Sequence, residues 1–251
     1  MRIKANDTEL YYEQHGEGEP IIFSYGWLDD CSVWNYQIET LAKNYRVILY
    51  DHRGHGKSEK PKGDYSIETL SNDLHSIIQS LNLERVNLVG FSMGGEAALV
   101  FTLKHPSKVS KLVLVGTTAK MAWPMHFLRF LTYILPYRTI LAIVSRAKYY
   151  RPSLQTIDGN MSRAMQVPRD VAYKCLTEIN KYDIRNMLSQ IEVPTLIIIG
   201  EKDRPNFKGS QHLNREIKGS KLQIMVNTGH TVMIEKPNEF NQLVQQFIAE
   251  K

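Results

Sequence analysis

The 251-residue chain predicts an α/β protein, a mostly parallel, doubly wound sheet with an inserted helical cap. Three observations predict it. Short apolar runs of strand length alternate with segments of helical period, the pattern of a parallel sheet covered on both faces. One of those runs, Val86-Asn87-Leu88-Val89, passes through Gly90-Phe91-Ser92-Met93-Gly94 into a small-residue helix. The alternation then stops from about Ala119 to Ile191, where Trp123, Phe127, Phe130, Tyr133, Ile134 and Tyr137 recur at helical spacings among Pro124, Pro136, Pro152 and Pro168. The expected division is a sheet domain of residues 1–118 and 192–251 and a helical cap, or lid, of residues 119–191. A chain of this length can bury one full core.

In chain order, residues 9–15 form an early strand, and Ile21-Ile22-Phe23-Ser24 a short buried one that ends at Tyr25-Gly26-Trp27-Leu28. A helix over Val33 to Lys43 leads to the buried strand Tyr45-Arg46-Val47-Ile48-Leu49-Tyr50. This strand runs into Asp51-His52-Arg53-Gly54-His55-Gly56-Lys57-Ser58. Two histidines beside an aspartate raise the question of a metal, but no third ligand converges at a recognisable spacing, so the cluster is read as a hydrogen-bonded turn and no metal is expected. Ile67, Leu70, Leu74, Ile77, Ile78 and Leu81 repeat near 3.6 residues and mark an amphipathic helix. The helix that follows Gly94 ends at His105-Pro106, and strands return at 111–116, 193–200 and 221–226 before a closing helix carrying Phe240, Leu243, Val244, Phe247 and Ile248.

The Gly90–Gly94 stretch has the form of a nucleophile elbow. So tight a strand-to-helix turn strains the hinge residue and leaves no room for Cβ atoms where strand and helix crowd, a demand that Gly90, Gly94 and Gly95 meet. The hydroxyl of Ser92 then stands clear of the sheet at a helix N-terminus, where developing negative charge is favoured. A serine needs an adjacent base, and the base an orienting acid. His230 alone among eight histidines follows a late strand at a glycine turn, Gly229-His230; His52 and His55 are its nearest rivals. The acid should lie between serine and histidine, where Asp203 follows a strongly apolar strand and Glu201 is the rival. Acyl chemistry also needs two N–H donors for the oxyanion, and the main-chain groups of Met93 and Trp27 are the candidates. Candidate substrate contacts are Tyr25 beside that loop and Trp123 and Phe127 in the cap.

These motifs, in this order and spacing, resemble the α/β-hydrolase superfamily nearly end to end. The resemblance implies Ser92 as nucleophile, His230 as general base and acid, Asp203 as its orienter and no cofactor. Members similar to haloalkane dehalogenases and epoxide hydrolases carry an aspartate at the elbow, so Ser92 argues for acyl chemistry on a carboxylic ester or lactone. Many members have a histidine where this chain has Tyr25. The run Phe23 to Leu28 resembles arylesterases with perhydrolase activity, which usually carry proline at the position of Leu28. The length, Trp27 and the basic cap resemble carboxylesterases that act on an acyl group held by acyl carrier protein, and an acyl-homoserine lactonase belongs to the same set. A C–C bond hydrolase acting on an anionic ketone and a ligand-binding relative without turnover are the alternatives.

The net charge of +5 is unevenly placed, since residues 120–190 hold eleven Lys and Arg against four Asp and Glu. That excess is either a solvated face or a lure for an anionic substrate, acyl carrier or lipid surface. No nucleic-acid module is recognisable. Cys31 and Cys175 sit in no paired or metal-type spacing and are expected to be reduced thiols. The first seven residues lack the apolar core of a secretory signal, and the stretch Phe127 to Val144 is broken by Arg129, Pro136 and Arg138. A cytoplasmic protein without a membrane span is therefore expected.

Overall fold

The computed structural model describes residues 1–121 and 123–250, and the side chains of residues 123–126 and 133 lie outside that description. The strands are β1 (Arg2–Ala5), β2 (Thr8–His15), β3 (Glu19–Ser24), β4 (Tyr45–Tyr50), β5 (Val86–Phe91), β6 (Val109–Val115), β7 (Thr195–Gly200) and β8 (Lys221–Met225). They form one sheet in the order β1-β2-β4-β3-β5-β6-β7-β8. Its β1–β2 and β2–β4 pairs are antiparallel and the rest parallel. The strict two-residue period of a strand sorts the side chains between two cores. Ile22, Ile48, Tyr50, Leu88, Leu112, Leu114 and Ile197 point to one core. Phe23, Val47, Leu49, Val89, Val113, Val115 and Ile198 point to the other.

The first core is closed by α2 (Ile67–Ser80), α3 (Met93–Lys104) and α8 (Arg204–Glu216), through Leu74, Ile77, Leu99, Phe101 and Leu213. The second is closed by α1 (Asn35–Leu41) and α10 (Pro237–Ala249), through Leu41, Phe240, Val244 and Phe247. Between β6 and β7 lie α4 (Trp123–Ile134), α5 (Tyr137–Ala147), α6 (Leu154–Ala164) and α7 (Arg169–Lys181), followed by a 3-10 turn over Arg185–Gln190. Their inner side chains, among them Leu141, Val167, Val171, Cys175 and Leu176, pack on Trp27, Leu28, Leu70 and Met93 at the C-terminal edge of the sheet. A four-residue helix, α9 (Val232–Glu235), precedes α10.

Two elements escape the apolar pattern. Strand β1 is a four-residue edge strand that buries Ala5 alone, and α8 buries only Ser210 and Leu213. Neither offers enough apolar positions for a period to show. The start signal of α8 is nevertheless present in Asp203-Arg204-Pro205, an N-cap aspartate followed by a proline in the first turn. The helix expected from Val33 begins as a 3-10 turn over Cys31–Trp34, capped by Asp30, and ends at Leu41. Among the described residues no helix is long and apolar enough to cross a membrane.

Candidate active site

Strand β5 delivers the chain to Ser92, whose backbone stands at φ 52° and ψ −120°. A left-handed φ is costly for a residue with a Cβ and persists only when its surroundings over-determine it. Here they do. The Ser92 amide donates to the Val115 carbonyl on β6 at 2.9 Å, while its carbonyl accepts from the amides of Gly95 and Glu96 at the start of α3. A Cβ on Gly94 would stand 2.5 Å from the Ser24 carbonyl carbon and the Tyr25 carbonyl oxygen. Only glycine lets α3 begin this close to the end of β3, and the approach brings the Gly26-Trp27 turn alongside Ser92. Met93 is the first residue of α3, so its N–H is one of those a helix leaves without an intrahelical partner.

His230 reaches the same place from the loop after β8. Its Nδ1 lies 2.6 Å from Oδ2 of Asp203, which is 4% exposed after β7. So short a contact to a carboxylate assigns the Nδ1 proton to this bond, leaving Nε2 as the ring's acceptor. The Asn206 amide, one turn into α8, donates to both carboxylate oxygens at 2.9 and 3.2 Å. Gly116, at φ 54°, lies under the pair; a Cβ there would come 2.9 Å from the imidazole and 3.3 Å from the Asp203 carboxylate.

Ser92, Asp203 and His230 line one cavity of about 350 Å³ with Met121, Phe127, Leu128, Leu131, Ile143, Val144, Ala147, Lys148, Lys202, Pro205 and Asn206. Its wall is mostly aliphatic and comes chiefly from α4 and α5. A more open depression lined by Thr132, Arg169, Asp170 and Tyr173 shares none of these residues.

The rivals named from the sequence fall elsewhere. Glu201 sits in an exposed turn, paired with Lys202 and accepting from the Asn227 amide. His52 and His55 are fully buried, and neither lines the cavity. Burial holds both imidazoles neutral, with the His52 pKa lowered to about 3 and that of His55 to about 4. Their turn is a scaffold. Asp51 accepts from the amides of Cys31 and Lys57, each at 2.7 Å, and Arg53 makes two bonds to Asp73 at 2.6 and 2.7 Å.

The candidate substrate contacts divide three ways. Phe127 lines the cavity, whereas the side chain of Trp123 lies outside the described residues. Tyr25 is not brought there. Its ring is fully buried in the second core, and its hydroxyl accepts from the His52 amide at 2.8 Å and donates to Asp51 at 3.3 Å. Strand alternation explains the misplacement, because Tyr25 shares the face of Phe23 and not that of Ser24. Leu28 stands at φ 65°, which a proline ring, held near −65°, cannot reach. The departure from the arylesterase pattern at this position is therefore built into the turn.

A family model described as alpha/beta hydrolase fold matches residues 19–237. The chain belongs to the α/β-hydrolase family. It is 31% identical to an AB hydrolase superfamily protein, YisY, of Bacillus subtilis, over 98% of this chain and 97% of that one. Among solved structures, an esterase from Exiguobacterium antarcticum superposes with a TM-score of 0.94 at 27% identity, covering 99% of both chains. An enol-lactonase from Burkholderia xenovorans gives 0.93 at 26% identity and covers both chains entirely. Several residues that shape this α/β-hydrolase's site were not singled out from the sequence for that role. Asn206 and Lys148 are helix-terminal polar residues with no motif of their own. Leu131, Ile143 and Val144 read only as helical apolar positions.

Proposed function

We propose that the protein is a serine hydrolase of carboxylic esters or lactones that works through an acyl-enzyme on Ser92. The observation that carries this reading is the convergence, in one apolar cavity, of a serine in a strained elbow and a histidine whose far nitrogen lies 2.6 Å from a buried carboxylate. In the first half-reaction Ser92 Oγ attacks the acyl carbon while His230 Nε2 takes its proton. The carbonyl oxygen becomes an oxyanion met by the N–H groups of Met93 and Trp27. As the C–O bond breaks, His230 returns the proton to the departing alkoxide, leaving the acyl group on Ser92. A water then attacks the acyl carbon, its proton passing to His230 and from there to Ser92 as the acid is released. Asp203 keeps the Nδ1 proton directed at itself and stabilises the imidazolium.

The walls support this substrate class. Leu128, Leu131, Ile143 and Val144 suit a small or medium acyl chain, and residues 119–191 serve as the cap that supplies them. The basic excess of this segment is partly internal, since Lys120 and Arg185 pair with Asp183, Lys181 with Glu178, and Lys148 and Arg163 with Asp29.

The test is hydrolysis of a p-nitrophenyl ester series from acetate to decanoate by the wild type and by Ser92→Ala. Turnover that peaks at one chain length and falls by at least about a thousandfold in the variant is expected. A folded wild type inert across the series, or an active Ser92→Ala, sinks the reading.

A further inference from the structure

Lys148, the C-cap of α5, is only 8% exposed although it carries a charge. Its ammonium donates to Asp29 Oδ2 at 2.8 Å and to the Trp27 carbonyl at 3.2 Å. Its own main-chain carbonyl accepts from the amide of His230 at 2.7 Å. One residue of the helical segment thus grips the loop of the oxyanion donor with its side chain and the loop of the base with its backbone.

Both loops are built for that grip. The Gly26–Asp29 turn is closed by the Asp29 amide donating to the Gly26 carbonyl at 3.3 Å, with Leu28 at φ 65°. A leucine in the left-handed region is strained and relaxes unless something holds the preceding peptide. The bond from Lys148 to the Trp27 carbonyl holds that peptide. On the other side, a Cβ at Gly229 would stand 2.9 Å from the Lys148 carbonyl and 2.7 Å from the Tyr150 nitrogen. Glu235 fastens the same seam, accepting from the amides of Gly229 and Tyr150, each at 2.9 Å. Arg163 is the second cation facing Asp29, at 3.4 Å, so the buried carboxylate does not depend on Lys148 alone.

We infer that Lys148 is a positioning residue, one that sets the oxyanion turn at Trp27 against His230 and so makes the arrangement of α5 a condition of catalytic geometry. This rests on the serine-hydrolase reading above, in which the Trp27 N–H meets the oxyanion. A misplacement of about 1 Å in such a donor is enough to cost about a hundredfold in rate.

Lys148→Met removes the ammonium and keeps the aliphatic stem and the backbone carbonyl. The expected result is a fall in kcat of about 10- to 100-fold on the preferred p-nitrophenyl ester, with KM changed less than about threefold, because the donor matters in the transition state more than in the ground state. The inhibition constant of a boronic acid that forms a tetrahedral adduct with Ser92 rises by a similar factor. Asp29→Asn, alone and combined with Lys148→Met, separates this role from a structural ion pair. Alone it costs kcat less than Lys148→Met does; in the double variant Tm recovers while kcat stays low. A double variant that recovers both Tm and kcat overturns the inference.

Hydrogen exchange at residues 26–29 reads the grip without any substrate. It should quicken in Lys148→Met and in the double variant, and unchanged exchange overturns the inference whatever the rates. A wild type with Ser92-dependent turnover that Lys148→Met leaves intact defeats this inference alone. A folded wild type inert on every ester defeats the proposed function and the catalytic part of the inference with it.

Discussion

At the C-terminal edge of the sheet, β5 and β7 are buried along their whole length, and Ser92 and Gly116 follow β5 and β6 in left-handed backbone. In α4 and α5, which wall the same cavity through Phe127, Leu128, Leu131, Ile143 and Val144, the side chains of Phe127, Phe130, Ile134 and Ile143 remain between 46% and 60% exposed. The first region spends its residues on fixing a few atoms: the Ser92 amide donates to the Val115 carbonyl at 2.9 Å and the Gly116 amide to the Ile198 carbonyl at 3.0 Å. The second offers apolar surface with few constraints on which apolar residue supplies it. On the proposed function, chemistry is thereby placed where packing is over-determined, and selectivity where substitution is tolerated. The contrast can be broken or sharpened by substitutions on either side.

The largest effect belongs to the sheet edge. Asp203→Asn should lower kcat/KM by about a thousandfold or more, because the amide no longer fixes the Nδ1 tautomer of His230. Steady-state kinetics on the best ester checks it, and a loss under about tenfold would remove Asp203 as the orienter. Gly116→Ala comes next. Its methyl would sit 2.9 Å from the imidazole on a backbone at φ 54°. A fall in kcat of about a hundredfold is expected, with a drop in Tm showing the backbone strain of about 1 kcal/mol. A normal kcat at lowered Tm would mean that the imidazole shifts without consequence.

A stability effect tests the scaffold below the edge. Burial keeps His52 and His55 neutral in the fold, lowering their pKa values from 6.5 to about 3 and about 4. The unfolded chain therefore binds protons that the native state refuses. The stabilising contribution of each histidine is whole above pH 6.5 and is lost as pH falls from there toward about 3 for His52 and about 4 for His55. Each tenfold mismatch in proton affinity is worth about 1.4 kcal/mol, so His55 withdraws up to about 3 kcal/mol near pH 4. Glu96 acts oppositely, since burial raises its pKa well above the ordinary value and its contribution weakens as pH rises. Urea midpoints of wild type and His55→Gln at pH 7 and pH 4.5 isolate the histidine term. The wild type should lose more than the variant on acidification, and parallel losses would refute a neutral buried His55.

The same contrast governs what could be read before the structure. The apolar runs and the elbow glycines answer strict local demands, so seven of the eight strands, the glycine turn at Ser92 and the places of Asp203 and His230 after late strands are legible in the sequence. Tyr25 lies in the second core and not in the cavity because strand alternation decides which face it takes, and Phe23, two residues earlier, already points to that core. Strand β1 and helix α8 bury too little to leave a period. Lys148 is invisible for a different reason. Its partners Trp27, Asp29 and His230 lie 121, 119 and 82 residues away, and a basic residue at a helix end signals only a favourable dipole.

The smallest effect lies on the helical side and is an effect on choice, not on rate. Leu131 lines the cavity from α4 and is itself only partly buried, so Leu131→Ala enlarges the acyl pocket without opening a sealed core void. Each methylene accommodated or lost in such a pocket is worth about 1 kcal/mol, or roughly tenfold at most. The expected outcome is a shift of the best chain length by about two carbons, with kcat on the acetate ester within about threefold of wild type. The p-nitrophenyl ester profile of the variant measures both at once. A collapse of acetate turnover together with the profile would show that α4 holds the catalytic groups as well as the substrate, and the division of labour between sheet edge and helices would have to be given up.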